Sequence, residues 1–458
     1  MLQPKLLFLA ALFSAISYCT AAQSITEKLT TAFAQFEKDP QLQNAIASLY
    51  VEDSNGAVVF HKNETIGLAP ASTQKIITSA TAYELLGKDF RYKTDFGFLP
   101  DNHARNSLYI RGSGDPTLGS WRWASTADTA VMNHIMRAAK NTVVNNTVFV
   151  DTTGWEGETI PGGWIWEDIG NYYGAGAGRI NWHENQYDIH LHSGDIIGSP
   201  ITITGTEPAL KNYTLRSKVT AAAKGSGDNA YIFFPLSGDS GLVRGTIPVG
   251  ENKFVISGAL PQPALQLAYA LLKKLHVHDS LLVKPALIYT GSIAARTFYT
   301  HVSPPLDSII YWFDKKSINL YGEALLKTMA FQKTGVGSTE AGVVVLQRFW
   351  KGKGIAETAL NIVDGSGLSP LNRVTTQAQV AVLQFARKQG WFSGFYNALP
   401  EYNGMKLKSG TIRGVKGFAG YHTSRNGTRY VISFLVNNYN GEAATLIAKM
   451  YAVLDVLK

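Results

Sequence analysis

The feature that most constrains this chain is a change of texture in its middle. From about Arg91 to Leu260 the sequence breaks into short extended segments, SLYIRG, NTVFVD, QYDIHLH, PITITG and NKFVISG, punctuated by Gly, Asp and Asn. That is the pattern of a β-rich module, or of two. The preceding block reads differently. It gives a helical ITEKLTTAFAQF, then ASLYVEDSNGAVVF, whose two alternating runs around Ser54-Asn55-Gly56 predict a β-hairpin. PASTQKIITSATAYELLG follows, apolar at Ile76, Ala80 and Tyr83 and closed by Gly87 as a capped helix is. Helix returns at ALQLAYALLKKL. The C-terminal block then runs through SIIYWFDKKSINLYGEALLKTMAFQ and TTQAQVAVLQFARKQ, the strands GMKLKSG and RYVISFLVNN, and the helix EAATLIAKMYAVLDVLK. The simplest architecture is one α/β (α+β) domain, residues 23–93 and 295–458, assembled from both ends of the chain around an inserted β-rich region at 94–294 of one or two nested domains. No repeat of fixed period and no low-complexity tract appears.

At 458 residues, with 45% hydrophobic and 17% charged side chains, the chain can bury a sizeable core. Its first 22 residues, MLQPKLLFLAALFSAISYCTAA, carry one Lys, an apolar run too short for a bilayer and a small-residue ending. This predicts an exported protein whose signal is cleaved near Ala22. A lipid anchor through Cys19 is disfavoured because Tyr18 is bulky where a small residue is expected. Cys19 is the only cysteine, so the mature chain has neither a disulfide nor a thiol nucleophile. Losing Lys5 with the signal lowers the formal charge from +8 to +7, and the excess is spread without a basic run. It suits anionic substrates or surfaces, peripheral membrane association among them, and gives no nucleic-acid stripe.

Ser72-Thr73-Gln74-Lys75 is the only Ser-x-x-Lys in the chain. Three residues apart on a helix is one turn, so hydroxyl and amine share a face. A serine is a weak nucleophile until a base takes its proton, and a desolvated lysine beside other cations can be that base. A helix start adds N–H groups for an oxyanion. Alone the pattern is weak, since about one or two copies arise by chance in a chain this long.

Two Ser-x-Asn pairs follow. Ser424-Arg425-Asn426 runs into Asn426-Gly427 between alternating segments and reads as a hairpin turn. Ser317-Ile318-Asn319 opens the helix NLYGEALLKTMAF, where Ser317 can relay a proton, cap the helix, or do both, and the Asn319 amide can align a substrate carbonyl and the lysine. Two Lys-hydroxyl-Gly triplets compete in the same way. Lys333-Thr334-Gly335 has what a helix end asks for. Lys408-Ser409-Gly410-Thr411 lies in an alternating strand, which can lay its backbone along an extended peptide, with Gly410 permitting close approach and Lys408 meeting a carboxylate.

With Ser72, Ser317 and Lys408 in this order and these contexts, the chain resembles the penicillin-interacting serine acyltransferases. The large insertion between Ser72 and Ser317 looks like the class C, type 4 low-molecular-mass penicillin-binding proteins, D-alanyl-D-alanine carboxypeptidases and endopeptidases, and unlike class A β-lactamases. LAPASTQK, RGSGDPTL, VDGSGLSPLNRVT and GFAGY extend the likeness over essentially the whole mature chain.

The resemblance implies a penicillin-binding, β-lactamase-like transpeptidase fold, a periplasmic location, no cofactor or metal, peptidoglycan stem peptides as substrate and β-lactams as acylating inhibitors. It makes Ser72 the nucleophile, Lys75 the base, Ser317 and Asn319 the proton-transfer and alignment pair, and Lys408 the partner of Ser317 and of the terminal carboxylate. Ser409, Gly410 and Thr411 would form the substrate strand, with the N–H groups of Ser72 and Thr411 as the oxyanion hole. Asp168, in GGWIWEDIGNYYGAG, would recognise the amine end of the stem diamino acid, with Tyr173 and Ile412 in the same pocket. Two positions depart from the family pattern, Ser409 where Thr is usual and Ile412 where Met is frequent.

Other readings are weaker. His183, His190 and His192 near Asp188 lack a zinc pattern, since the mature chain has no Cys and no His-Glu-x-x-His. Without Gly-x-Ser-x-Gly there is no hydrolase elbow, and Ser366 reads as a turn residue. The rivals are a β-lactamase and a non-catalytic peptidoglycan-binding protein, the latter opposed by the intact motif residues.

Overall fold

A computed structural model describes residues 23–100, 106–140, 142, 144–235, 238–275, 286–291 and 293–458. Residues 1–22, with Cys19 and the signal cleavage expected near Ala22, lie outside the described residues. Among them no helix is long and apolar enough to cross a membrane.

Both ends of the chain build one antiparallel sheet. The N-terminal block supplies β1 (Ile46–Asp53) and β2 (Val58–Lys62), and the C-terminal block supplies β3 (Glu401–Tyr402), β4 (Met405–Ile412), β5 (Val415–Thr423) and β6 (Arg429–Asn437). Their spatial order is β3-β4-β5-β6-β1-β2. The seam runs from Ile46 opposite Asn437 to Asp53 opposite Tyr430. The expected β1–β2 hairpin forms, with Asp53 Oδ1 accepting from the N–H groups of Asn55 and Ala57 at 2.7 and 2.9 Å. An Asx-type turn of this kind satisfies backbone donors that the ladder leaves over. Ser424-Arg425-Asn426 lies in the β5–β6 turn, as its Asn-Gly step predicts.

Helices cover both faces of the sheet. On one, α1 (Ile25–Glu37) presents Leu29, Phe33 and Phe36 to Ile432 and Phe434, joined by Leu446 and Met450 of a C-terminal helix at Ala443–Leu454. On the other lie α2 (Lys75–Leu86), α3 (Leu306–Lys316), α4 (Asn319–Thr334) and α5 (Thr376–Ala386), sharing a core that includes Ile76, Tyr83, Phe313, Leu325 and Leu383. Every residue of α4 from Asn319 to Ala330 is buried, which makes it the central rod of this layer.

The inserted region contains a five-stranded sheet in the order 286–290, 144–151, 106–111, 93–100 and 296–302, and two three-stranded sheets. Residues 296–302, read from sequence with the C-terminal block, pair with Lys93–Pro100 in this inserted sheet. A helix at Asp128–Ala139 also interrupts what reads as continuous β-texture. Its buried Val131, Met132, Ile135 and Ala139 carry helical spacing that the surrounding strand signals mask. The insertion is tied to α4 through Lys327, fully buried, whose Nζ lies 2.7 Å from Glu156 and donates to the carbonyls of Glu158 and Ala177 at 2.8 and 2.9 Å. Each proton of this buried ammonium thus has a partner, as burial of a charge requires.

Candidate active site

Ser72 lies in a 3-10 turn, Ala71–Gln74, that leads directly into α2, and Lys75 is the first residue of the α-helix. The turn holds Ala71 at φ +46°, a left-handed conformation that costs an L-residue roughly 1–2 kcal/mol. Lys75 is completely buried, and its Nζ lies 2.9 Å from Ser72 Oγ, 2.7 Å from Asn319 Oδ1 and 2.7 Å from the Ser366 carbonyl. Burial, followed by the nearby charge of Lys408, holds this amine well below the usual lysine range. The three neighbours suit the neutral form. Two are acceptors only, matching the two N–H bonds of an uncharged amine, and the third is a hydroxyl that can donate to its lone pair.

Ser317 does not cap α4. The N-cap position is Ile318, and Ser317, at φ +58°, closes α3 instead. Its hydroxyl is freed from the helix and accepts from Lys408 Nζ at 3.0 Å. Lys408, 1% exposed, also donates to the Ser409 carbonyl at 2.9 Å. Burial lowers the Lys408 pKa, Asp314 opposes the shift and Lys416 adds to it. Asp314 lies buried on α3, accepts from Ser79 Oγ at 2.8 Å, and has its own carboxyl pushed upward by burial. Sequence reasoning passed over it. The available signal is an acid four residues after Ile310, on the apolar face of its helix.

The strand triplet forms the third side. β3 pairs only with Met405 and Lys406, which leaves the outer edge of β4 open from Lys408 onward. A Cβ at Gly410 would lie 2.6 Å from the Pro70 carbonyl and 2.9 Å from the amide nitrogens of Ser72 and Thr73. Only glycine lets the strand pass this close to the Ser72 turn. The other triplet ends α4, with Lys333 exposed and Gly335 at φ +76° returning its N–H to the Phe331 carbonyl at 2.9 Å.

A cleft of about 810 Å³ brings Ser72, Ser317, Asn319, Thr411 and Ile412 together with Asp168 and Tyr173. The amines of Lys75 and Lys408 lie beneath its floor, and half-buried Ser409 is not among the described lining residues. Asp168 sits in the short helical turn Trp166–Ile169. Burial pushes its carboxyl up to about 6, against the opposing hydrogen bond of the Tyr173 hydroxyl. Asn319 Nδ2 donates to the Tyr173 carbonyl at 2.8 Å, so one amide fixes both the lysine and this wall.

The Ser366 carbonyl, unforeseen as a lysine partner, is held by a loop around buried Asp364. That carboxylate accepts from the N–H groups of Gly367 and Ser369 at 2.8 and 2.7 Å and from Trp164 Nε1 at 2.9 Å. Elsewhere, Asp188 accepts from Ser257 Oγ at 2.6 Å and His183 Nδ1 lies 3.0 Å from the Gln186 carbonyl. Among the described residues no group of three His, Cys, Asp or Glu is arranged to hold a metal ion.

The chain matches the family model described as D-Ala-D-Ala carboxypeptidase 3 (S13) over residues 29–401. The D-alanyl-D-alanine carboxypeptidase of Actinomadura sp. (strain R39) is 26% identical over 451 residues, covering 91% of this chain and 82% of that protein. The D-alanyl-D-alanine carboxypeptidase DacB of Haemophilus influenzae is 22% identical over 410 residues, covering 84% of this chain and 83% of its own. The crystal structure of penicillin binding protein 4 (dacB) from Haemophilus influenzae has the same fold, with a TM-score of 0.77 at 18% identity over 94% of this chain and 99% of that one. Matched by the family model over most of its length, this chain belongs to the D-Ala-D-Ala carboxypeptidase 3 (S13) family of serine hydrolases.

Proposed function

We propose that the protein hydrolyses the terminal D-Ala-D-Ala bond of peptidoglycan stem peptides through an acyl-enzyme on Ser72. The observation that carries this reading is the environment of Lys75, a buried amine with two acceptor-only partners and the Ser72 hydroxyl as its third. Ser72 Oγ attacks the carbonyl carbon of the penultimate D-Ala while its proton passes to Lys75 Nζ. The carbonyl oxygen becomes an oxyanion between the N–H groups of Ser72 and Thr411. As the C–N bond breaks, the proton held by Lys75 passes by way of the Ser317 hydroxyl to the departing nitrogen, leaving Lys75 neutral, and D-Ala leaves with its carboxylate beside Thr411 and above Lys408. Water then attacks the ester, giving its proton to Lys75, and Lys75 returns it to Ser72 Oγ as the ester C–O bond breaks, so that Ser72 is regenerated. Asp168 faces the amine end of the stem diamino acid.

The same cleft supports cleavage of cross-linked peptides, because its open β4 edge admits chain on both sides of the scissile bond. A β-lactam would acylate Ser72 in place of the peptide, and the N-terminal segment directs the protein to the periplasm. Two measurements on purified protein test the reading, D-Ala release from a stem pentapeptide and intact-mass analysis after penicillin treatment. Release of D-Ala and a stable single adduct, both abolished in Ser72→Ala, are expected. An unmodified protein that frees no D-Ala would sink it, and rapid penicillin turnover would mark a β-lactamase instead.

A further inference from the structure

Lys416 lies opposite Thr411 in the β4–β5 ladder, beyond the two-residue turn Arg413-Gly414. Directly paired residues of an antiparallel ladder share a sheet face. The next pair along, Gly410 with Gly417, faces the nucleophile turn, where added Cβ atoms would meet the Ser72 amide and the Thr73 side chain. Lys416 and Thr411 therefore occupy the opposite face, at the margin of the open edge. There the Lys416 side chain runs over the Phe418 ring, its Nζ 5.0 Å from the centroid, and donates to Thr411 Oγ1 at 2.8 Å. Among the described residues the ammonium has no other protein partner. Lys416 is only 7% exposed, whereas Thr411 opens into the cleft.

A threonine hydroxyl has one proton and two acceptor sites, and an ammonium only donates. With Lys416 occupying an acceptor site from behind, the Thr411 proton is left to point elsewhere, and Thr411 is exposed at the cleft margin, where a ligand can accept it. We propose that Lys416 is a positioning residue that turns the Thr411 hydroxyl into a dedicated donor for a substrate's terminal carboxylate, making the enzyme selective for peptides ending in a free acid. Its charge reinforces the effect, because an ammonium polarises the hydroxyl it donates to and adds a cation behind the one on Lys408. Desolvation brings the Lys416 amine down to about 8, so at neutral pH the charged form predominates. A carboxamide terminus lacks the negative charge and gains little from this arrangement.

The inference rests on the carboxypeptidase reading, and one experiment separates the two. D-Ala or D-alaninamide release is followed from matched stem peptides ending in D-Ala-D-Ala acid or amide, for wild type, Lys416→Met and Lys416→Arg. Penicillin acylation confirms an intact Ser72 site, and thermal unfolding reports folding. Wild type should favour the acid. In Lys416→Met the acid-to-amide ratio of kcat/KM should fall about tenfold, mainly through KM for the acid. Lys416→Arg should recover most of that ratio. Equal losses on both peptides, or an unchanged ratio, would overturn the role of Lys416 while leaving the carboxypeptidase reading standing. A wild type that cleaves neither peptide would overturn both.

Discussion

Lys333-Thr334-Gly335 and Lys408-Ser409-Gly410 are nearly the same word written at two places in one chain, and the fold gives them opposite fates. In the first, an exposed lysine and a left-handed glycine terminate α4. In the second, a buried lysine donates to Ser317 beneath the cleft and a glycine presses against the Ser72 turn. Both glycines are needed, for different reasons. Gly335 supplies backbone freedom, with nothing within 4 Å of an added Cβ, whereas Gly410 supplies space. A short motif therefore acquires chemistry from the element that carries it and from what that element packs against.

The sharpest way to break this comparison is to truncate each lysine. Lys408→Ala should lower kcat/KM by about 10³-fold, the scale of losing a preorganised electrostatic partner. Lys333→Ala should stay within about twofold, as expected of an exposed helix-end residue. Kinetics of D-Ala release on both variants would check this.

The glycines come next. Gly410→Ala forces a methyl against Pro70, Ser72 and Thr73, and displacement of the nucleophile turn should cost about 10²-fold in Ser72 acylation rate. Gly335→Ala places an L-residue at φ +76°, so it should lower unfolding stability by about 1 kcal/mol with acylation unchanged.

A smaller effect is expected at the cleft wall. With its carboxyl raised to about 6, Asp168 is charged above that pH and neutral below it. For a stem peptide with a free diamino-acid amine, KM should fall as pH rises through about 6, and Asp168→Asn should flatten this profile and raise KM roughly tenfold on its alkaline side. The smallest change is Ser409→Thr, which restores a methyl on a half-buried side chain outside the described cleft lining. Its kcat/KM should move by less than about twofold.

What was legible in the sequence was whatever depends on local spacing. Ser72 with Lys75, Ser317 with Asn319, and alternation through Lys408 each place functional groups within one turn or one strand, and these are the groups the fold gathers. What was hidden depends on tertiary partners. The Ser366 carbonyl is a backbone atom 291 positions from Lys75, and nothing in a side-chain sequence marks it. Ser317 looks like a cap because it stands just before a helix, and only the folded chain shows that it closes the preceding helix with a left-handed φ while Ile318 takes the N-cap position. Lys416 was within reach, because a two-residue turn at Arg413-Gly414 sets it opposite Thr411 once β4 and β5 are read as a hairpin. The helix at Asp128–Ala139 was lost to its neighbourhood, not to its own pattern.

The central claim is that burial makes Lys75 a neutral base at the pH where Ser72 reacts. A lysine whose pKa is depressed in the folded protein is unprotonated above that lowered value, so its base form is present at lower pH than that of an ordinary lysine. The direct measurement is the rate of penicillin acylation of Ser72 against pH, followed by intact mass with the adduct mapped by peptide analysis. The expected rate rises with an ionisation well below the ordinary lysine value of about 10.4 and is flat before that value is reached. A rate that keeps climbing toward that ordinary value, or an adduct on any residue other than Ser72, would contradict it.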